Sequence, residues 1–109
     1  MADKYTELAE IKRDGAIPQP NSGRGKHKKG DAIKGKFLID YKEYAESFAV
    51  SRKIWAKICT DAVTSGNYSP ALKLVLGPND GRKTRVWVIS DSDMHEYMEL
   101  LEARDEIQG

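Results

Sequence analysis

The sequence predicts an α/β domain with a central mixed β-sheet and helices on its faces. Three stretches carry apolar residues at helical spacing, shorter extended runs lie between them, and each run is bounded by Gly, Pro, Asn or Ser. The order is helix, loop, two or three strands, helix, two strands, helix, which one layered core accommodates. A chain of 109 residues suffices for a single domain, residues 1–109, and not for two.

In chain order, Tyr5, Leu8, Ala9 and Ile11, followed by Gly15, predict a first helix over 4–14. It carries two acids. At about 100° per residue, Glu7 falls at the edge of the apolar stripe and Glu10 projects further towards solvent, so Glu7 is the better candidate for a site. Residues 16–29, AIPQPNSGRGKHKK, read as loop throughout. Asp31 then opens a short extended segment, Lys34-Gly35-Lys36 makes a tight turn, and Phe37 to Lys42 returns as a strand. Alternation puts Phe37, Ile39 and Tyr41 on one face and Leu38, Asp40 and Lys42 on the other.

Residues 43–46 read as a connector, and Ser47 as the cap of a helix running to about 65. Val50, Ile54, Ile58 and Ala62 form its core row, with Trp55, Cys59 and Val63 beside it. Arg52, Lys53 and Lys57 lie opposite, either solvated or facing phosphate. Gly66-Asn67 ends the helix. The runs 71–76 and 84–89 are apolar strands around Pro78-Asn79-Asp80-Gly81, a hairpin turn sequence. Asp91 or Ser92 caps a last helix, whose Met94, Tyr97, Met98 and Leu101 share a side as core or interface. His95 has no partner at ligand spacing and is given no chemistry.

Composition narrows the function classes. With 39% hydrophobic and 32% charged residues the chain has the balance of a folded globular domain rather than a disordered one. No apolar run approaches the roughly 20 residues that span a bilayer, and MADKYTELAE is not a signal peptide, so an intracellular protein is expected. The single cysteine, Cys59, excludes an intramolecular disulfide and a cysteine-based metal site. There are no internal repeats and no GxGxxG, P-loop, zinc or serine-hydrolase signature. The net charge of +1 conceals a segregation. Residues 12–36 hold eight bases against Asp14 and Asp31, whereas 90–109 hold seven acids against Arg104. Such a division suits a basic face that meets a polyanion, and a solvated surface can also look like this.

The stretch Gly30 to Lys42, GDAIKGKFLIDYK, holds the chemistry that core packing does not require. Asp31, nine residues upstream of Asp40 across the expected hairpin, can converge with it at one end of the sheet, and two carboxylates a few ångströms apart bind a hard divalent cation, with water and phosphate completing the shell. A lysine beside them, Lys42, suits orienting a water or stabilising charge on a phosphate. The same residues also fit an ordinary hairpin with solvated ends. In the preceding loop, glycines allow close backbone approach to a ligand, Ser22 offers a hydroxyl, and Arg24, Lys26, His27, Lys28 and Lys29 supply bases; the set suits phosphate contact without base reading.

Glu7 in the first helix, PNSGRG at Pro20 to Gly25, KGD at Lys29 to Asp31 and IDYK at Ile39 to Lys42 together resemble the PD-(D/E)XK nuclease superfamily, and within it the small phage and archaeal Holliday junction resolvase-like endonucleases. The SF opening of the next helix and SPALKLVL after it are also similar to the phage members. The resemblance covers most of residues 5–90 and implies a restriction-endonuclease-like core of αβββαβ type. It implies that Asp31 and Asp40 bind the metal, that Glu7 is a third, helix-borne catalytic acid, that Lys42 assists the attacking water, and that Ser22 touches a phosphate of the scissile strand. The implied activity is Mg²⁺-dependent hydrolysis, with Mn²⁺ as a substitute, of phosphodiester bonds in four-way or other branched DNA, leaving a 5′-phosphate and a 3′-hydroxyl. Symmetric cleavage of a junction implies a homodimer, with the hairpin strands or the last helix as its interface; for a phage protein the compartment would be the host cytoplasm. Three departures stand out: glycine rather than proline before Asp31, Asp40 in place of the commoner glutamate, and Glu43 after Lys42 where a small hydroxyl residue is frequent. A nickase or general DNA nuclease of the same fold, or an inactive DNA-binding module, remains an alternative.

Overall fold

The computed structural model describes residues 4–19, 31–78 and 80–108. Along the chain run α1 (Lys4–Arg13), β1 (Ile17–Pro18), β2 (Asp31–Lys34), β3 (Phe37–Tyr44), α2 (Arg52–Thr64), β4 (Ser69–Leu76), β5 (Thr84–Ile89) and α3 (Asp91–Gln108). The five strands form one sheet in the order β1-β2-β3-β4-β5. Only β3 and β4 are parallel, joined by the α2 crossover, so the sheet is mixed. The expected α/β layout is thus observed. Among the described residues no helix is long and apolar enough to cross a membrane.

Each face of the sheet has its own apolar cluster. Ile11 of α1 and Ala16 pack on Ala32, Ile39, Tyr41 and Ala71, with Phe37 and Ile89 at the margin. On the other face Ile58 of α2 packs on Leu72 and Leu74, ringed by Phe48, Ile54, Trp55, Leu76 and Val88. Strand β4 is covered on both sides, which is why SPALKLVL reads as a nearly continuous apolar run rather than an alternation.

Lys73 interrupts that run and is fully buried on the α1 face. Its Nζ donates to both Asp14 carboxylate oxygens at 2.8 Å, and Tyr41 Oη donates to Asp14 Oδ2 at 2.9 Å. Burial first, then the bond to Asp14 and that residue's charge, push the Tyr41 hydroxyl pKa up. Glu10 joins the same network: Arg85 Nε donates to its Oε2 at 2.6 Å, and Lys73 Nζ lies 3.8 Å from Oε1. The expectation that Glu10 projects to solvent is therefore incorrect, because Arg85 and Lys73, standing on the sheet beside Ile11, draw it in until only 4% remains exposed. Glu43 is buried as well, with Lys83 Nζ 2.8 Å from its Oε2.

Several boundaries differ from expectation. Ile17–Pro18, read as loop, pairs with Ala32 and Ile33 as a two-residue edge strand. Strand β3 continues through Glu43 and Tyr44, since Val75 and Leu76 of β4 remain in register beside them. The longer strand displaces the next helix, whose N-cap is Ser51, not Ser47: Ser51 is extended (φ −95°, ψ 166°) and its Oγ accepts from Ile54 N–H at 3.1 Å. Val50 therefore precedes the helix and is exposed, as is Val63, leaving Ile58 and Ala62 as its buried positions. Gly66 and Asn67 close α2 with positive φ, as expected. For α3 the cap is Ser90, whose Oγ accepts from Asp93 N–H at 3.1 Å, one residue earlier than Asp91. Of its apolar side, Met94, Tyr97 and Met98 are exposed, and the helix is tied near its start by Lys36, which bonds Asp93 at 3.0 Å and Glu96 at 2.9 Å.

Candidate active site

The candidate site is fixed by one hairpin. Gly35 takes φ 59° at the first central position of the β2–β3 turn, where a type II′ turn needs glycine. Lys34 then pairs with Phe37, and the register carried back along both strands sets Asp31 directly opposite Asp40. Directly opposed residues share a face, with Cβ atoms about 4.5–5.5 Å apart. Their neighbours Ala32 and Ile39 occupy the α1 face, so Asp31 and Asp40 stand on the α2 face. There they line a small pocket with Leu38, Ile58 and Asp61.

The pocket is electrostatically uncomfortable. Burial pushes the Asp31 carboxyl up from 3.8 to about 7, the charges of Asp40 and Asp61 add to the rise, and Lys42 and Lys57 only partly oppose it. Asp40 is raised chiefly by burial too, against the pull of Lys42 and Lys57. Lys42 Nζ is 3.6 Å from Asp40 Oδ1, an ion pair too long for a hydrogen bond, and that oxygen is buried without a hydrogen-bond partner among the described residues. Lys42 itself reaches over the Phe48 ring, 6.0 Å from its centroid. On the pocket's helical wall Lys57 Nζ bonds Asp61 Oδ2 at 3.0 Å, which raises the Lys57 pKa.

These features bear on a divalent cation. Two adjacent carboxylates, one oxygen lacking any donor and one carboxyl holding its proton to about pH 7, are what an oxygen-liganded cation would relieve. No group of three or more His, Cys, Asp or Glu side chains among the described residues is placed to hold a metal between them.

Of the residues expected at the site, Asp31, Asp40 and Lys42 come together. Glu7 is half-buried on α1, the helix on the opposite face of the sheet, and does not line the pocket. Ser22, Arg24, Lys26, His27, Lys28 and Lys29 lie outside the described residues. Asp61 joins the pocket without being among the expected residues, although it carries a signal in the sequence: it follows the core residue Ile58 by three, at the rim of the apolar stripe, and sits four after Lys57. Lys57, left between solvent and phosphate, is exposed and paired at the pocket's rim. Comparison with protein-family models, with curated proteins and with solved structures finds no match to this chain.

Proposed function

We propose that the chain is a divalent-cation-dependent DNA endonuclease of the PD-(D/E)XK type acting on branched DNA, with Asp31, Asp40 and Lys42 as its catalytic residues. The observation that carries the reading is the opposed pair Asp31 and Asp40 on β2 and β3, with Lys42 two residues along the same face. The element order, α1, three antiparallel strands, α2 and a parallel β4, is compatible with the αβββαβ core that the resemblance implies.

In this reading Asp31 and Asp40 would hold Mg²⁺, which would supply electrostatic stabilisation of charge on the phosphate and on the departing oxygen. Lys42 swings from its ion pair with Asp40 to orient a water for in-line attack on phosphorus. The P–O bond to the 3′ oxygen breaks, giving a 5′-phosphate and, once that oxygen is protonated, a 3′-hydroxyl. The lysine's place two residues from Asp40 keeps its ammonium at the developing negative charge, where a fixed cation is worth most in a partly buried site. The basic loop Arg24 to Lys29 supplies backbone affinity, so binding weakens as salt rises.

The test is cleavage of a labelled four-way junction and a matched linear duplex with Mg²⁺, by wild type, Asp40→Asn and Lys42→Ala. Junction-selective, paired cuts that fall to background in Asp40→Asn and by roughly 10²–10³-fold in Lys42→Ala are expected. Equal cutting of both substrates replaces the resolvase with a general nuclease or nickase, and binding without cutting in Mg²⁺ or Mn²⁺ leaves a DNA-binding module.

A further inference from the structure

The charges of α2 run against its own stability. Arg52 and Lys53 stand in its first turn and Asp61 in its last, with no acid at the start and no base at the end. The helix dipole favours the opposite placement at both ends, so helix formation does not account for these side chains. Lys53, Lys57 and Asp61 are successive i, i+4 neighbours and form one column along the helix. Asp61 lines the pocket with Asp31 and Asp40, Lys57 holds the rim one turn further out, and Lys53 stands a turn beyond that. Lys57 Nζ donates to Asp61 Oδ2 at 3.0 Å, yet its side chain is 64% exposed. An exposed i, i+4 pair is weak, and lysine before acid is the less favourable order on a helix, so Lys57 leaves Asp61 at little cost. Lys53 is exposed and makes no hydrogen bond or ion pair among the described residues. The Lys57 charge opposes the burial-driven rise of the Asp31 and Asp40 pKa values, so it lies close enough to act on both, and Lys42 does the same from β3. The carboxylate pair thus has one lysine on a strand and one on the helix packed over it.

We infer that the Lys53–Lys57 column of α2 is a phosphate track along which a DNA strand leaves the pocket: Lys57 exchanges Asp61 for the phosphate next to the one held at the carboxylate pair, and Lys53 takes the phosphate beyond it. The inference rests on the nuclease reading for the identity of the polyanion, and its own observation is the charge column on α2. A phosphodiester chain with one phosphate at Asp31 and Asp40 carries its next phosphates out over the pocket's rim, where Lys57 stands. Lys42 lies beside Asp40 and attends the reacting phosphate in that reading, which leaves Lys57 for the neighbouring one. Without DNA, Asp61 keeps the Lys57 ammonium at the rim. Contacts of this kind position a strand without reading its bases.

The test measures the affinity of full-length protein for a labelled four-way junction by fluorescence anisotropy in EDTA, over roughly 50 to 200 mM salt. Wild type is compared with Lys53→Gln, Lys57→Gln, the double variant and, as a control of equal charge on α1, Lys12→Gln. All three lysines are exposed, and circular dichroism checks that each variant keeps its fold. The slope of log K against log salt is expected to fall by about one in either α2 single variant and by about two in the double, while Lys12→Gln keeps the wild-type slope. A lysine that serves only the helix would leave the slope unmoved. A wild-type slope in Lys53→Gln or Lys57→Gln, an equal loss in Lys12→Gln, or wild-type protein that does not bind the junction overturns the inference. Protein that shows the α2 loss of slope yet cuts no DNA in Mg²⁺ or Mn²⁺ would remove the nuclease reading and leave the track standing, and protein that cuts junctions with an unmoved Lys57→Gln slope would do the reverse.

Discussion

At the residue scale, Asp31 is a carboxylic acid placed where its charge is costly. With a folded pKa of about 7 against an ordinary 3.8, the folded state binds the proton more tightly than the unfolded one. The sign follows: no penalty exists below about pH 4, it grows as pH rises towards 7, and it is constant above. Asp31→Asn should therefore raise stability by on the order of 2–4 kcal/mol at pH 8 and change it little at pH 4, as urea denaturation at the two values would show. An equal effect at both pH values would mean that Asp31 is not held protonated. The opposite case is Asp14, which accepts from Lys73 and Tyr41 on the far face. Asp14→Ala strands a buried ammonium, with Glu10 at 3.8 Å and the Tyr41 and Trp87 rings left beside it among the described residues, and should cost about 3–5 kcal/mol; a loss under about 1 kcal/mol would place Lys73 in contact with water. Neither buried charge was legible in sequence. A lysine in a strand and a glutamate on a helix normally reach solvent, and burial here arises because β4 is covered on both faces and α1 lies across it.

At the element scale, local signals sufficed where turn geometry fixes register. Gly35 and the two-residue turn determine that Asp31 meets Asp40, and both residues can be placed by counting from the turn. The hairpin of β4 and β5, the close of α2 at Gly66-Asn67 and the three helices were equally readable from spacing. Ser47 and Ser51, in contrast, are equivalent caps by composition, and the choice depends on how far β3 stays paired with β4, a non-local fact. Strand β1 is too short to show any period. Asp61 was missed because its partners are 21 and 30 residues away on strands, although its position beside Ile58 is suggestive. The cap assignment predicts that Ser51→Ala lowers stability by about 1 kcal/mol while Ser47→Ala is nearly neutral. Thermal or urea melts of the two variants decide between them, and a larger loss at Ser47 would contradict the observed start of α2.

At the scale of the whole molecule, the sheet separates two kinds of polar chemistry. On the α1 face, Glu10 and Asp14 are matched by Arg85 and Lys73, and the network ties helix to sheet. On the α2 face, Asp31, Asp40 and Asp61 outnumber Lys42 and Lys57, an imbalance that the cation of the proposed function would relieve. Along the chain, bases gather in residues 12–36 and acids in α3. If DNA is held by the basic loop, affinity for a four-way junction should fall steeply with salt, and neutralising Lys26 and Lys28 together should reduce the slope of log K against log salt by about two. An unchanged slope would remove that loop from the interface.

The most direct measurement is a calorimetric titration of Mn²⁺ into DNA-free protein at pH 8, with Asp31→Asn, Asp40→Asn and, as a control on α3, Asp91→Asn. Saturable binding by wild type and the control, weakened at least about tenfold by either pocket substitution, is the predicted result. Wild-type protein that binds no Mn²⁺, or pocket variants that bind it as wild type does, would contradict the assignment of Asp31 and Asp40 as the cation site.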